Sequence, residues 1–441
     1  MSGAALLERL AGALAGSPLA ASISDAAAAF AERRGADAAA GRLEGAVLAG
    51  LARLLATARE MAGFLSHRPA LLERIAAADS GSLAARAREL AAEPPPAPGD
   101  DLEGALDALR LLRREETCLA ACLDLGGVVP FEEVSEFLSR VAEGIVERAL
   151  WLAHGGLAPH RLSVLGMGKI AGRELTYHSD LDLIFLHEGG PEGVAEASRL
   201  GQRLIAYLGT LTGAGIAYAV DARLRPSGQQ GMLVTGFDRF ERYQCQKAET
   251  WEHVAVLRAR AIAGNVPRAQ RILERIHAHL LARHERPWPY LAALRQRVVA
   301  ERSSPSRDVI DFKTGPGGLM DVDFLAGGGL LERGAARFPR YPGVPAMLRA
   351  AARGGWVEQV LEDHRFLRIA EARARLCAGR GVESLHRSDA GFAAAAELVE
   401  PGLGPAGLVE RIAAARARVR RAWEAVVEGG SVAVLEGPAP A

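Results

Sequence analysis

Lysine is almost missing from this 441-residue chain: Lys169, Lys247 and Lys313 are the only three among 53 Lys+Arg residues. A composition that takes arginine wherever the exchange is harmless leaves lysine where a compact ammonium is needed against phosphate or carboxylate. Cysteine is equally scarce. Cys118, Cys122, Cys245 and Cys377 are too few and too scattered for a disulfide framework, so a reducing, cytoplasmic setting is expected. Cys118 and Cys122, four apart on an expected helix, have no His or Cys at ligand spacing to complete a metal site and read as small buried side chains. Net charge is also absent, 53 acidic residues balancing 53 basic ones, which argues against binding to nucleic acid or a membrane surface through bulk charge. Aromatics are only 5%. No export signal is expected at Met1–Ala20, and apolar runs such as Ala46–Ala56 are broken by Arg53, so no membrane span is expected either.

What is abundant is helix-forming sequence. Apolar residues make up 49%, and Leu48, Leu51, Leu54 and Leu55 show the three- and four-residue spacing of a buried helical face. Residues 4–92 therefore read as a helical bundle. The prolines of Glu93–Asp100 stop it, and two longer helices are expected over 102–125 and 131–154, separated by Gly126-Gly127 and Pro130. The pattern then changes. Short apolar runs at 161–165 and 181–186 and the alternating stretch 216–224 read as three strands of one sheet, with a helix over 192–212 between the second and third. Helix resumes near Val266, interrupted at 303–305, 314–318 and 338–345, and the last dozen residues are expected to fray. The expected fold class is α+β, divided as a helical region 1–154, a catalytic domain 155–265, a helical domain 266–430 and a tail 431–441.

The chemistry concentrates in one string. Gly166-Met-Gly-Lys169 follows the first strand, and Ser179-Asp-Leu-Asp182 opens the second. Side chains alternate along a strand, so Asp180 and Asp182 project to one side roughly 6.6 Å apart. Two such carboxylates repel each other unless a cation intervenes, a geometry suited to Mg²⁺ with substrate phosphates. Asp221, Arg223 and Arg225 share a face of the third strand, offering a third carboxylate for a two-metal clamp and guanidinium groups for phosphates. The alternative reading of the arginines is ion pairs bracing the strand. A dinucleotide fold would need glycine at Ala171 rather than Gly172, and no P-loop string occurs. A nucleic-acid end-adding enzyme would share the aspartates, but neutral charge and few aromatics disfavour it.

Taken together, the glycine turn, the aspartate pair and the third aspartate resemble the polymerase-β-like nucleotidyltransferases. The fuller string is similar to one family among them, glutamine synthetase adenylyltransferase. It is carried by Gly166-Met-Gly-Lys169, Gly172-Arg-Glu-Leu175, Ser179–Phe185, Val220–Gly228, Gly231–Thr235, Trp251-Glu-His253, Arg258-Ala-Arg260, Asp311-Phe-Lys313 and Gly317–Asp321. Members usually carry two homologous units, one removing AMP from glutamine synthetase by phosphorolysis and one attaching AMP to a tyrosine. This chain holds one unit. Ser227-Gly228, Gly231–Thr235 and Glu252-His253 resemble the attaching one.

The resemblance implies a catalytic triad of Asp180, Asp182 and Asp221, which would also be the metal ligands, Asp221 assisting deprotonation of the attacking hydroxyl. It further implies that Gly166, Gly168, Lys169 and Ser179 contact nucleotide phosphates, with Arg223, Arg225 and Lys313 as further candidates. ATP would be substrate, Mg²⁺ the metal and glutamine synthetase the partner, with room for nitrogen-signalling regulatory proteins. Phosphorolytic removal of AMP and a non-catalytic nucleotide-sensing module are the rival readings. Ala171, Asp323 and Gly327-Gly328-Gly329 depart from the family pattern, and three glycines should weaken a helix by about 1 kcal/mol each relative to alanine.

Overall fold

The computed structural model describes residues 2–96, 101–156, 161–226, 228–302, 308–335 and 338–439. Expectations that fall on Ala97–Asp100, Ser227 and Ser303–Pro305 lie outside them. The architecture is a helix-rich α+β fold around a small mixed sheet.

Short helices from Gly3–Ala13 to Ser82–Ala92 form the amino-terminal layer, with Leu51, Leu54 and Leu55 buried as the spacing demands. In the proline run that follows, Trp151 Nε1 donates to the Pro96 carbonyl at 3.2 Å. The helices Leu102–Leu125 and Phe131–Ala153 follow, matching the sequence reading to within a residue.

The sheet runs β1 (Leu162–Met167), β2 (Leu181–His187), β3 (Val220–Asp221), β4 (Val234–Gly236) and β5 (Ala259–Gly264). The order is β3-β2-β1-β5, with β4 also on β2; β1 is antiparallel to β2 and β5, whereas β3 and β4 lie parallel to β2. The stretch expected to be a strand over 216–224 pairs only at Val220–Asp221, because Arg223–Pro226 turn away. The helix between β2 and β3 runs Pro191–Gly209, starting one residue earlier and ending three residues earlier than expected.

β2 is apolar from Leu183 to Leu186 because both its faces are covered there. Leu183 and Phe185 join the core built with the amino-terminal helices, while Ile184 and Leu186 join a second core built with the carboxy-terminal helices. That parity sends Asp182 toward the carboxy-terminal layer. A third cluster gathers around Phe312 and Leu367 beneath a ribbon of β6 (Val309–Asp311) and β7 (Ser384–His386), which the sequence did not suggest.

Two expectations need correction. The helix Leu319–Arg333 is unbroken through Gly327–Gly329. A Cβ on Gly327 would sit 2.5 Å from Val254 Cγ1, one on Gly328 2.9 Å from Leu291 Cδ1 and one on Gly329 2.9 Å from Ala351 Cβ, so the glycines let three neighbours approach a buried helix and packing offsets their poor propensity. The carboxy terminus does not simply fray. Val432 and Leu435 are fully buried in a short 3-10 turn, and Glu332 accepts from the Val432 amide at 2.8 Å. No helix among the described residues is long and apolar enough to cross a membrane.

Candidate active site

The site lies where β1 ends and β2 begins. At Gly168 the chain turns with φ +54°, the amide donating to the Arg258 carbonyl at 3.1 Å. A Cβ there would lie 3.5 Å from Asp182 Oδ2, so the turn passes over that carboxylate with nothing between. Gly166 lies buried within β1, where a Cβ would meet Ile170 Cγ2 at 2.9 Å; its role here is packing.

Asp180 is exposed just before β2, and Asp182 is half-buried inside it. Neither carboxylate has a hydrogen-bond donor or ion-pair partner among the described residues. Burial, then the charges of Asp180 and Asp221, push the Asp182 carboxyl up to about 6. Asp182 and Asp221 are register partners across the parallel β2–β3 pair. Asp221, however, is taken by Arg223: its Oδ1 accepts from the Arg223 amide at 2.8 Å and its Oδ2 from Arg223 Nε at 2.8 Å, contacts that hold its carboxyl below the usual range. No three His, Cys, Asp or Glu side chains among the described residues already converge as a metal cage. The donors are nonetheless all hard carboxylate oxygens, two of them unpartnered, which fits Mg²⁺ in ligand type.

The cations expected to hold phosphates are arranged differently. Lys169 Nζ lies 2.8 Å from Glu371 Oε1, within a buried cluster that includes Arg368 and Arg375, both also paired to Glu371. Burial, together with those two guanidinium groups and despite Glu371, brings the Lys169 ammonium down to about 8. Ser179 is buried, its Oγ accepting from the Thr176 amide at 3.1 Å and lying 3.4 Å from Arg375 Nη1. Arg225 donates to the Ala222 and Gly231 carbonyls and braces its turn. Lys313 pairs with Glu383 at 2.9 Å; burial works to lower its ammonium, but Glu383, Asp182 and Asp323 outweigh that and raise it. Lys247 is exposed at the end of the Phe237–Gln246 helix.

Sequence reasoning missed what supports the turn. Arg258 is buried and bridges Asp323 and Glu174, each at 2.6 Å, and Arg260 donates to the Ala171 carbonyl at 3.0 Å. Asp323, shorter than the glutamate the family pattern predicts, thus has a partner. Arg368 donates to the Glu174 carbonyl. One helix, Gly355–Ala378, therefore grips the 168–180 segment at its start, middle and end through Glu371, Arg368 and Arg375. The spacing of the Arg258-Ala-Arg260 motif was a signal for the first two; nothing local in sequence marked the helix.

Beside Asp180 opens a cavity of about 540 Å³, walled in part by His178, Ser179, Arg113, Arg375 and Arg380. Its volume suits a nucleotide-sized ligand.

A sequence model of the family described as glutamate-ammonia ligase adenylyltransferase matches residues 48–275, a span that contains Asp180, Asp182 and Asp221. A bifunctional glutamine synthetase adenylyltransferase/adenylyl-removing enzyme of Nitrosococcus oceani is 37% identical over 315 residues, covering 63% of this chain and 32% of that protein. The protein of the same description from Bordetella bronchiseptica is 32% identical over 417 residues, 88% of this chain and 41% of its own. The chain thus spans about a third to two-fifths of the curated relatives it matches.

Proposed function

The chain belongs to the glutamate-ammonia ligase adenylyltransferase family, and we propose that it transfers AMP from ATP to a tyrosine hydroxyl of glutamine synthetase in the cytoplasm. The observation that carries this reading is the Asp182–Asp221 register pair, with Asp180 alongside and the Gly168 backbone across Asp182. Residues 155–265 would be a polymerase-β-like catalytic domain between the helical regions 1–154 and 266–430, with only the end of 431–441 left as a tail.

In this reading the triphosphate enters the cavity beside Asp180, where Arg113, Arg375 and Arg380 supply positive charge. The tyrosine oxygen attacks the α-phosphorus in line, its proton passing to Asp221, while the bond to the bridging oxygen breaks and pyrophosphate leaves. Asp180, Asp182 and Asp221 would hold Mg²⁺, which supplies charge neutralisation at the phosphates. Asp221 exchanges Arg223 for that role. Lys169 acts by fixing the turn through Glu371, and Arg225 by shaping the loop after β3. Lys313 balances charge near Asp182.

The relatives' description names both attachment and removal, so removal is the second reading. Label transfer from α-labelled ATP to glutamine synthetase, lost in the Asp180→Asn/Asp182→Asn variant, tests the first. Release of ADP from pre-adenylylated synthetase with phosphate, and no forward transfer, would favour the second. Neither activity would leave a nucleotide-sensing module. Nitrogen-signalling proteins as regulators belong to this proposal and are tested by their effect on the same assays.

A further inference from the structure

At the other end of β2, five residues and roughly 17 Å beyond Asp182, His187 is 4% exposed, and its Nδ1 has no hydrogen-bond partner among the described residues. A buried polar atom without a partner costs about 1–3 kcal/mol, so such a ring usually serves a ligand or holds water. The imidazole lies between the starts of two helices. A Cβ on Gly193, in the first turn of Pro191–Gly209, would lie 4.0 Å from Nδ1, and one on Gly236, which precedes Phe237–Gln246, would lie 3.5 Å from Nε2. Neither helix start has a side-chain cap, so amide donors of the ten-residue Phe237–Gln246 helix are left toward the same space.

That space is a cavity of about 590 Å³ walled by His187, Gly236, Arg239, Arg242 and Arg268 together with Met232. Arg239 and Arg242 are exposed, one turn apart, and without an acceptor among the described residues. Arg268 Nε reaches no hydrogen-bond acceptor, Glu188 lying 3.8 Å off. Asp238 and Glu188 are the carboxylates in the wall, and the 3.8 Å contact makes Arg268 and Glu188 an ion pair without a hydrogen bond.

We propose that this cavity is a phosphate-binding site separate from the aspartate site, taking a phosphate dianion at the Phe237–Gln246 helix start, with His187 Nε2, the ring nitrogen facing Gly236, and the Arg239 and Arg242 guanidinium groups as its side-chain contacts. The volume exceeds that of phosphate alone, and the exposed Met232 offers an apolar wall for the organic part of a phosphate ester. The proposal does not depend on the transferase reading.

The test is a titration of the full chain with inorganic phosphate, and separately with glycerol 3-phosphate, at ionic strength fixed with chloride. The histidine ring signals are followed by long-range ¹H–¹⁵N spectra, and His187 is assigned by its loss in His187→Gln. A saturable shift of the His187 signal that weakens at least tenfold in Arg239→Ala/Arg242→Ala is expected. Tighter saturation by glycerol 3-phosphate would identify an ester as the source, and equal or weaker saturation the free anion. No shift, or an equal shift in the double variant, would overturn the site and leave a solvent-filled cavity.

Discussion

Lys169 and Glu371, 202 positions apart in sequence, meet as an ion pair that ties the glycine turn of the candidate site to the Gly355–Ala378 helix. Among the described residues Glu371 is the one anion paired with three cations, Lys169, Arg368 and Arg375, and all four groups are wholly or largely buried. Burial alone would raise its carboxyl, but the three cations outweigh that and hold it well below the usual range. A depressed carboxyl contributes stability above its unfolded value near 4.3, and the contribution is lost as pH falls below that.

Glu371→Gln should therefore cost about 3–5 kcal/mol at pH 7, because three buried cations lose their counter-ion. The deficit should shrink as pH drops below about 4. Urea unfolding of both proteins across pH 3–7 measures it, and a deficit independent of pH would contradict the assignment.

Asp182 shows the opposite sign. Its carboxyl is raised to about 6 by burial and by the neighbouring aspartates, so the folded state loses stability as pH rises from about 4 through 6. Asp182→Asn, unfolded in the presence of a chelator, should be more stable than the wild type by on the order of 2 kcal/mol at pH 7–8. The gain should vanish near pH 4, while nucleotide transfer is lost at every pH. A variant less stable than the parent at pH 8 would show that Asp182 has a structural partner.

Gly327→Ala should destabilise despite the better helix propensity of alanine. The new methyl group would meet the β-branched Val254, which has little freedom to yield, and overpacking of this kind costs about 1–3 kcal/mol against a propensity gain of about 1. Chemical denaturation reads the balance directly, with a net gain in stability as the contrary result.

Arg223 is mostly exposed while its partner Asp221 is the third candidate carboxylate. Arg223→Ala should leave stability within about 0.5 kcal/mol, as expected of an exposed pair. It should also lower the Mg²⁺ concentration for half-maximal transfer, since Asp221 no longer has to leave a guanidinium. An unchanged or higher Mg²⁺ requirement would place Arg223 on the substrate instead.

The parts of this molecule legible in its sequence are those whose signals are local. β1 and β2 announce themselves as apolar runs closed by glycine, histidine and serine, and the two long helices as periodic stretches between proline and glycine breaks. β5 was hidden because Ala259-Arg-Ala-Ile-Ala-Gly264 has only one β-branched residue and shows itself as a strand by pairing with β1. β4, β6 and β7, three residues each, carry too little pattern. The aspartates at the site were visible by spacing. The fate of Lys169 was not, since its partner lies in a distant helix and no local pattern encodes that contact. Gly327–Gly329 misled for a related reason: propensity is a local quantity, and here close approach by Val254, Leu291 and Ala351 decides.

The most direct test of the central claim is the intact mass of glutamine synthetase after incubation with this chain, ATP and Mg²⁺. The account predicts a gain of one AMP per modified subunit, mapped to a tyrosine and absent with the Asp180→Asn/Asp182→Asn variant. No gain in mass, or the same gain with that variant, would contradict it.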